Sequence, residues 1–351
     1  MEMSDLKNAW SPSIQGLRGL SILMVVIFHI NSNVFPAWSL LGVSIFFTIS
    51  GYVITGSLIR LLNSQGGSLS RKVFLKAFYT RRLRRLMPVS ILVITGTLVA
   101  SWFDSSSNHR QYFESALFCI FYIGNFYGIG IQNYGLAPAL AHFWTLSIEE
   151  QFYAFYPILL FHFKKFGYSI KKITSVFLFI ILFVQLSHPL ISFTGLDFGV
   201  MPTTYADLFL AGATWNLVEQ SSFARDSKFL LLARYAGFLL AITSCLPHSI
   251  SRIDNSNPLY MNYIALTAIS IFFLAFSTKV FENWIFQFFG RISYSLYCIH
   301  WPLMVFARTF IGDGLAIMVF VAVVSIYLSD LSHKYFESRF YKASLGTNVG
   351  T

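Results

Sequence analysis

The stretch Ser13-Ile14-Gln15-Gly16-Leu17-Arg18-Gly19-Leu20-Ser21-Ile22-Leu23-Met24-Val25-Val26-Ile27-Phe28-His29-Ile30 decides the fold. It is apolar enough to cross a bilayer as a helix, yet it carries an arginine and a histidine where a plain anchor would carry leucine. Eleven residues at ~100° each make roughly three turns, so Arg18 and His29 fall on one stripe, about 16 Å apart along the axis. Two such side chains on an apolar helix must face protein or a water-filled cavity rather than lipid, which marks a functional site.

Composition extends that reading to the whole chain. Of 351 residues, 55% are apolar and only 11% charged; a soluble domain carries about 25% charged residues, so this is an integral membrane protein. The 25 basic and 15 acidic residues give a net charge of +10. The excess gathers in short loops between apolar runs, the pattern that marks cytoplasmic loops, so nucleic acid is not an expected partner. Cys119, Cys245 and Cys298 are odd in number and lie in apolar segments, without disulfide or metal spacing. The first apolar run has no small-residue cleavage site after it and reads as a retained helix rather than a signal peptide.

Spans of about twenty apolar residues, oriented by lysine and arginine, give an all-α bundle of about ten transmembrane helices with both termini cytoplasmic. The segment 60–85 holds Arg60, Arg71, Lys72, Lys76, Arg81, Arg82, Arg84 and Arg85 with no acid, and is read as a cytoplasmic loop. Helices are predicted at 14–34, 40–60, 87–103, 143–163, 173–188, 203–219, 229–246, 259–278, 292–311 and 314–331. The glycine-broken run 114–131 is read as a re-entrant or interfacial piece on the outer side. If it spanned, Lys164-Lys165 and Lys171-Lys172 would lie outside, against the charge rule. No repeat or separate soluble domain is visible: residues 1–345 read as one transmembrane domain and 346–351 as a short polar tail.

His29 admits two readings. It is a structural hydrogen-bonder between helices, or a general base, because imidazole titrates near neutrality and accepts a hydroxyl proton. Arg18 is an anchor that snorkels to the interface or a contact for an anionic group arriving from the cytoplasm. The run Phe78-Tyr79-Thr80-Arg81-Arg82-Leu83-Arg84-Arg85-Leu86-Met87-Pro88 is a topology signal that also contacts anionic lipid. Its density of arginine, Arg81, Arg82 and Arg85 included, also suits bidentate phosphate binding.

A third cluster is His142-Phe143-Trp144-Thr145-Leu146-Ser147-Ile148-Glu149-Glu150-Gln151-Phe152-Tyr153. Paired carboxylates at a helix start complement its dipole. Adjacent positions point ~100° apart, so one of Glu149 and Glu150 faces inward with ease, where it would polarise a histidine or bind sugar hydroxyls. His142, Trp144 and Tyr153 are further acceptor-site candidates; the aromatics also fit an interfacial belt. Ser44 lies in a small-residue stretch that helix packing explains well. Asp207 is a costly acid inside a span, and His300 precedes Trp301 and Pro302 in another. There is no serine-nucleophile elbow, phosphate-cradling glycine loop or His-Glu-x-x-His signature, so no metal is expected.

Five stretches in order resemble the acyltransferase-3 family of multispanning bacterial acyltransferases, which includes O-antigen O-acetylases and nodulation-factor acetylases. They are Ile14-Gln15-Gly16-Leu17-Arg18-Gly19 through His29 (the family's Arg-x10-His), Gly42 to Gly51, Phe78 to Pro88, His142 to Tyr153, and Ile292 to Tyr297 with His300-Trp301-Pro302-Leu303. The resemblance implies transfer of an acyl group, usually acetyl from acetyl-CoA, to a carbohydrate hydroxyl. His29 would be the catalytic histidine and Arg18 its partner. Arg82 and Arg85, as the Arg-x-x-Arg pair, would bind the donor, and Glu149 would support the site.

It further implies acyl-CoA as co-substrate with no bound cofactor, a carbohydrate acceptor such as O-antigen or exopolysaccharide, free or lipid-linked, and a place in the bacterial inner membrane. The family often has Asp where this chain has Ser44, Arg where it has Tyr205, and Glu-Arg-Pro where it has Glu337-Ser338-Arg339. Larger members carry a fused outer hydrolase-like domain, and this chain is expected to lack one. A rival class, a carrier or flippase that moves a glycan or acyl intermediate without chemistry, would also want a basic mouth and buried ionisable residues. It would more often show repeated, discontinuous halves.

Overall fold

The computed structural model describes residues 11–33, 38–63, 70–127, 135–193, 201–220 and 279–340. The predicted helices at 229–246 and 259–278 and the tail 346–351 lie outside the described residues. Among the described residues the regular structure is helical throughout, with no strand. The longer elements are α1 (Pro12–Ile30), α2 (Trp38–Asn63), α3 (Arg71–Ser101), α4 (His109–Ile120), α5 (Phe143–Lys165), α6 (Ile170–Phe193), α7 (Ala206–Glu219), α8 (Trp284–Phe310) and α9 (Leu315–Leu331).

Among the described residues five helical stretches are long and apolar enough to cross a membrane: Pro12–Ile30, Trp38–Asn63, Arg71–Ser101, Ile170–Ser187 and Leu315–Phe340. Their outward side chains, such as Ile91, Leu92 and Val99 on α3 or Phe179, Leu182 and Phe183 on α6, are apolar and exposed, as expected of surfaces that meet lipid. Buried hydroxyls inside the spans bond back to their own helix. Ser21 donates to Leu17 O at 2.9 Å, Ser44 to Leu40 O at 2.8 Å and Ser325 to Val321 O at 2.8 Å, which satisfies them without water.

Several predicted boundaries differ; α8, for one, begins at Trp284 rather than at 292. The basic segment ending at Arg85 is not a loop leading to a helix at 87; α3 is one helix of 31 residues that starts at Arg71. Ser70 caps it by accepting from Val73 N, and the Arg, Lys and Leu residues that follow are good helix formers. At ~1.5 Å per residue α3 is roughly 46 Å long, so its arginine-bearing turns reach past a core about 30 Å thick. The glycine-broken run 114–131, read as a re-entrant or interfacial piece, begins within a helix that starts earlier, at His109. Helix α4, capped by Asn108, ends at Ile120, and a 3-10 turn follows at Gly124–Phe126. Its 12 residues cover only about 18 Å, too short to span.

The contacts divide the chain into two compact units. The first takes in Met1–Phe28, Asn33–Leu69 and Phe152–Gly290. Its core packs Ile14, Leu17 and Met24 of α1 with Leu41, Ile45 and Ile49 of α2 and Trp215 of α7. Helices α2 and α7 approach backbone to backbone. A Cβ on Gly51 would stand 1.9 Å from Phe209 O, and one on Gly212 1.9 Å from Thr48 O, so only glycine fits at either place. Phe209 stacks on Phe47 at 4.6 Å and on Phe152 at 4.3 Å beside that crossing.

The second unit takes in His29–Ser32, Ser70–Gln151 and Arg291–Thr351. Ser90 of α3 lies 2.6 Å from the Tyr294 hydroxyl of α8, and that hydroxyl donates to Leu86 O at 2.7 Å. The irregular chain between α4 and α5 is fixed by side chains where no helix partner exists. Ser115 Oγ accepts from Ala137 N at 2.9 Å, Ser147 Oγ accepts from Gly124 N at 3.1 Å, and Gln151 donates to Tyr122 O at 2.8 Å.

Candidate functional site

The second unit holds most of the chemistry-bearing residues, on α3, α5, α8 and the end of α1, in an array of polar groups. At its basic end, α3 presents Arg82 and Arg85, three positions apart and so on neighbouring faces. Both are half-buried, whereas Arg81 points outward and is exposed. Arg82 Nη2 lies 3.8 Å from Glu149 Oε1 of α5, with both side chains about a fifth exposed. Glu150, one position on, is half-buried as well.

One helical turn back along α5, Thr145 Oγ1 is 2.6 Å from the Tyr297 hydroxyl of α8, which also donates to His142 O at 3.1 Å. The His142 ring stands 5.5 Å from Tyr297 and 5.8 Å from His300. His300 is fully buried. Its Nδ1 lies 2.8 Å from Leu296 O and 2.9 Å from Tyr297 O, so that nitrogen carries the proton and Nε2 is left as an acceptor. Nε2 is buried and has no hydrogen-bond partner among the described residues.

His29 closes the array. Its half-buried imidazole stands 5.4 Å from the His300 ring and 4.3 Å from Trp301. Three imidazoles thus sit in one cluster on α1, α8 and the turn before α5. No group of three metal-ligating side chains poised to hold an ion exists among the described residues. What the array offers is proton acceptors and donors at one end and guanidinium groups at the other, linked by carboxylates and hydroxyls.

Other residues singled out by the sequence fall in the first unit: Arg18, half-buried on α1; Ser44; Tyr153; and Asp207. Ser44 spends its proton on its own helix. Tyr153 is fully buried. Asp207 accepts from Gln185 of α6, which satisfies part of a costly buried acid. Trp144, half-buried at the start of α5, belongs to the second unit.

Sequence reasoning passed over two residues. Tyr122, at φ +54° in the left-handed region, turns its hydroxyl to within 3.0 Å of Ser90 Oγ. A non-glycine residue held there costs energy and is over-represented at functional sites, but no sequence pattern announces it. Arg308, which donates to the His29 carbonyl at 2.9 Å, sits near the end of a predicted span and there looks like an anchor.

Residues 11–333 match the sequence model of an acyltransferase domain. The protein named "Putative O-acetyltransferase SAS0844" of Staphylococcus aureus (strain MSSA476) is 28% identical over 97% of this chain and 58% of its own length. O-acetyltransferase OatA of Staphylococcus aureus (strain NCTC 8325 / PS 47) is 26% identical over 93% of this chain and 56% of its own. The chain therefore spans under three fifths of the length of these curated relatives. No solved structure matches. The domain match takes in the whole polar array from His29 to Arg308, and the chain belongs to the acyltransferase-3 family.

Proposed function

We propose that this protein is a multi-pass O-acetyltransferase of the bacterial cytoplasmic membrane that moves acetyl from acetyl-CoA to a hydroxyl of a cell-surface carbohydrate. The reading includes about ten spans with both termini in the cytoplasm. The observation that carries it is the array itself, with paired arginines at one end, an imidazole cluster at the other and polar side chains between. Arginine suits the phosphates of CoA because its planar fork binds them in bidentate fashion. An extended pantetheine arm would then place the thioester at His29. Glu149 would hold Arg82 in place.

In the transfer, His29 takes the proton of the acceptor hydroxyl as its oxygen attacks the thioester carbonyl. The tetrahedral intermediate collapses, the carbon–sulfur bond breaks, and the departing thiolate takes the proton back from the imidazolium. The ester and free CoA leave with no net proton gained or lost. A histidine nucleophile that first accepts the acetyl group would use the same placement. His142, His300, Trp144 and Glu150 are the groups within the second unit that an acceptor sugar would meet.

The test uses purified protein with labelled acetyl-CoA and extracted cell glycans, comparing wild type with His29→Ala. Label should enter glycan only with wild type. Transfer that survives the substitution sinks the catalytic assignment. Absence of transfer by either protein, with glycan movement into vesicles intact, would favour a carrier instead.

A further inference from the structure

Helix α1 ends at Ile30, and the carbonyls of its last turn have no partner within the helix. The one on His29 accepts a 2.9 Å hydrogen bond from Arg308 Nη2, at the far end of α8. A cation there also complements the negative end of the helix dipole. The guanidinium is held from behind, since its Nε donates to Asp313 Oδ1 at 2.9 Å. Its central carbon lies over the Trp301 ring, 5.6 Å from the centroid.

Asp313 is presented by a tight turn. Ile311 N and Gly312 N both donate to Ala307 O, at 2.8 and 3.0 Å, and Gly312 takes φ +135°, a conformation that favours glycine. Trp301 is fixed in turn by its Nε1, which donates to Pro138 O at 2.8 Å, and it lies 4.3 Å from the His29 imidazole. The backbone and the ring of His29 are therefore gripped by two residues of α8 one above the other, each with its own support.

We infer that Arg308 is a positioning residue for acyl transfer: it clamps the last turn of α1 so that the His29 imidazole keeps one orientation against Trp301. The inference rests on the reading of His29 as the general base. An interfacial anchor would explain a cation at this depth, but it would not need Asp313 or the His29 carbonyl.

The experiment compares Arg308→Ala, Arg308→Lys, Asp313→Ala, His29→Ala and the double variant His29→Ala/Arg308→Ala in the labelled-acetyl assay. Misplacing a reacting group by about 1 Å costs on the order of a hundredfold. Arg308→Ala should therefore lose about that much in kcat while its KM for acetyl-CoA stays within about twofold. Lysine should restore part of the rate, and Asp313→Ala should fall between. The double variant should be no slower than His29→Ala alone, because one residue acts through the other.

A wild-type kcat in Arg308→Ala, a loss that lysine does not lessen, or a loss seen only in KM overturns the clamp. If Arg308→Ala is not monodisperse in detergent, Asp313→Ala decides by the same kcat comparison. An active His29→Ala would sink the general-base reading itself. An inactive His29→Ala beside an active Arg308→Ala sinks only the clamp.

Discussion

At the scale of single residues, histidine and arginine were legible because an apolar helix makes them costly. His29 and His300 stand out in the sequence for that reason, Arg82 for the density of arginine around it and His142 and Glu149 for their cluster at a helix start; the second unit holds all five. Arg308 was not legible, since a cation at the edge of a span is expected on topology grounds alone. Only the donated bond to the His29 carbonyl distinguishes it. The ion pair of Arg82 with Glu149 is long and partly solvated, and such pairs contribute under about 1 kcal/mol to stability. Arg82→Ala and Arg85→Ala should therefore melt within a few degrees of wild type in detergent. If they hold CoA phosphates, each should raise the KM for acetyl-CoA about tenfold, or ~1.4 kcal/mol of binding. Unchanged steady-state KM values would remove the pair from the donor site.

At the scale of elements, α5 and α8 are long enough to span, at 23 and 27 residues, yet neither is among the five stretches apolar enough to be picked out by hydropathy. They carry the glutamates, histidines and tyrosines of the array, and those residues dilute the apolar signal. Their apolar runs are still long enough to read as spans at 143–163 and 292–311. In the first unit, the α2–α7 crossing rests on Gly51 and Gly212, each facing a backbone carbonyl. Alanine at either should force the helices apart and cost about 1–3 kcal/mol, typical of overpacking, read as a lower melting temperature in detergent. Gly96, inside α3 with nothing within 4 Å of an added Cβ, is the matched control. Gly96→Ala should be neutral or stabilising by up to about 1 kcal/mol, the helix-propensity gain alone.

At the scale of the whole molecule, orientation follows from where the lysines and arginines fall. Single cysteines introduced at Lys72, Asn108 and Lys164, in a chain whose own three cysteines are replaced, give a direct test with a membrane-impermeant thiol reagent on intact cells. Label should reach position 108 and spare 72 and 164. A reactive position 164 would overturn the reading in which the run 114–131 does not cross the membrane.

The sequence by itself determined the class of the molecule, its apolar helices and the identity of its costly polar residues. Each of these follows from local composition and from a penalty that lipid applies residue by residue. Tertiary structure alone decided that three imidazoles from separate segments meet and that Arg308 reaches the end of α1. Those outcomes depend on which helix faces pack together and which carbonyls are left over at helix ends. No single segment carries that information.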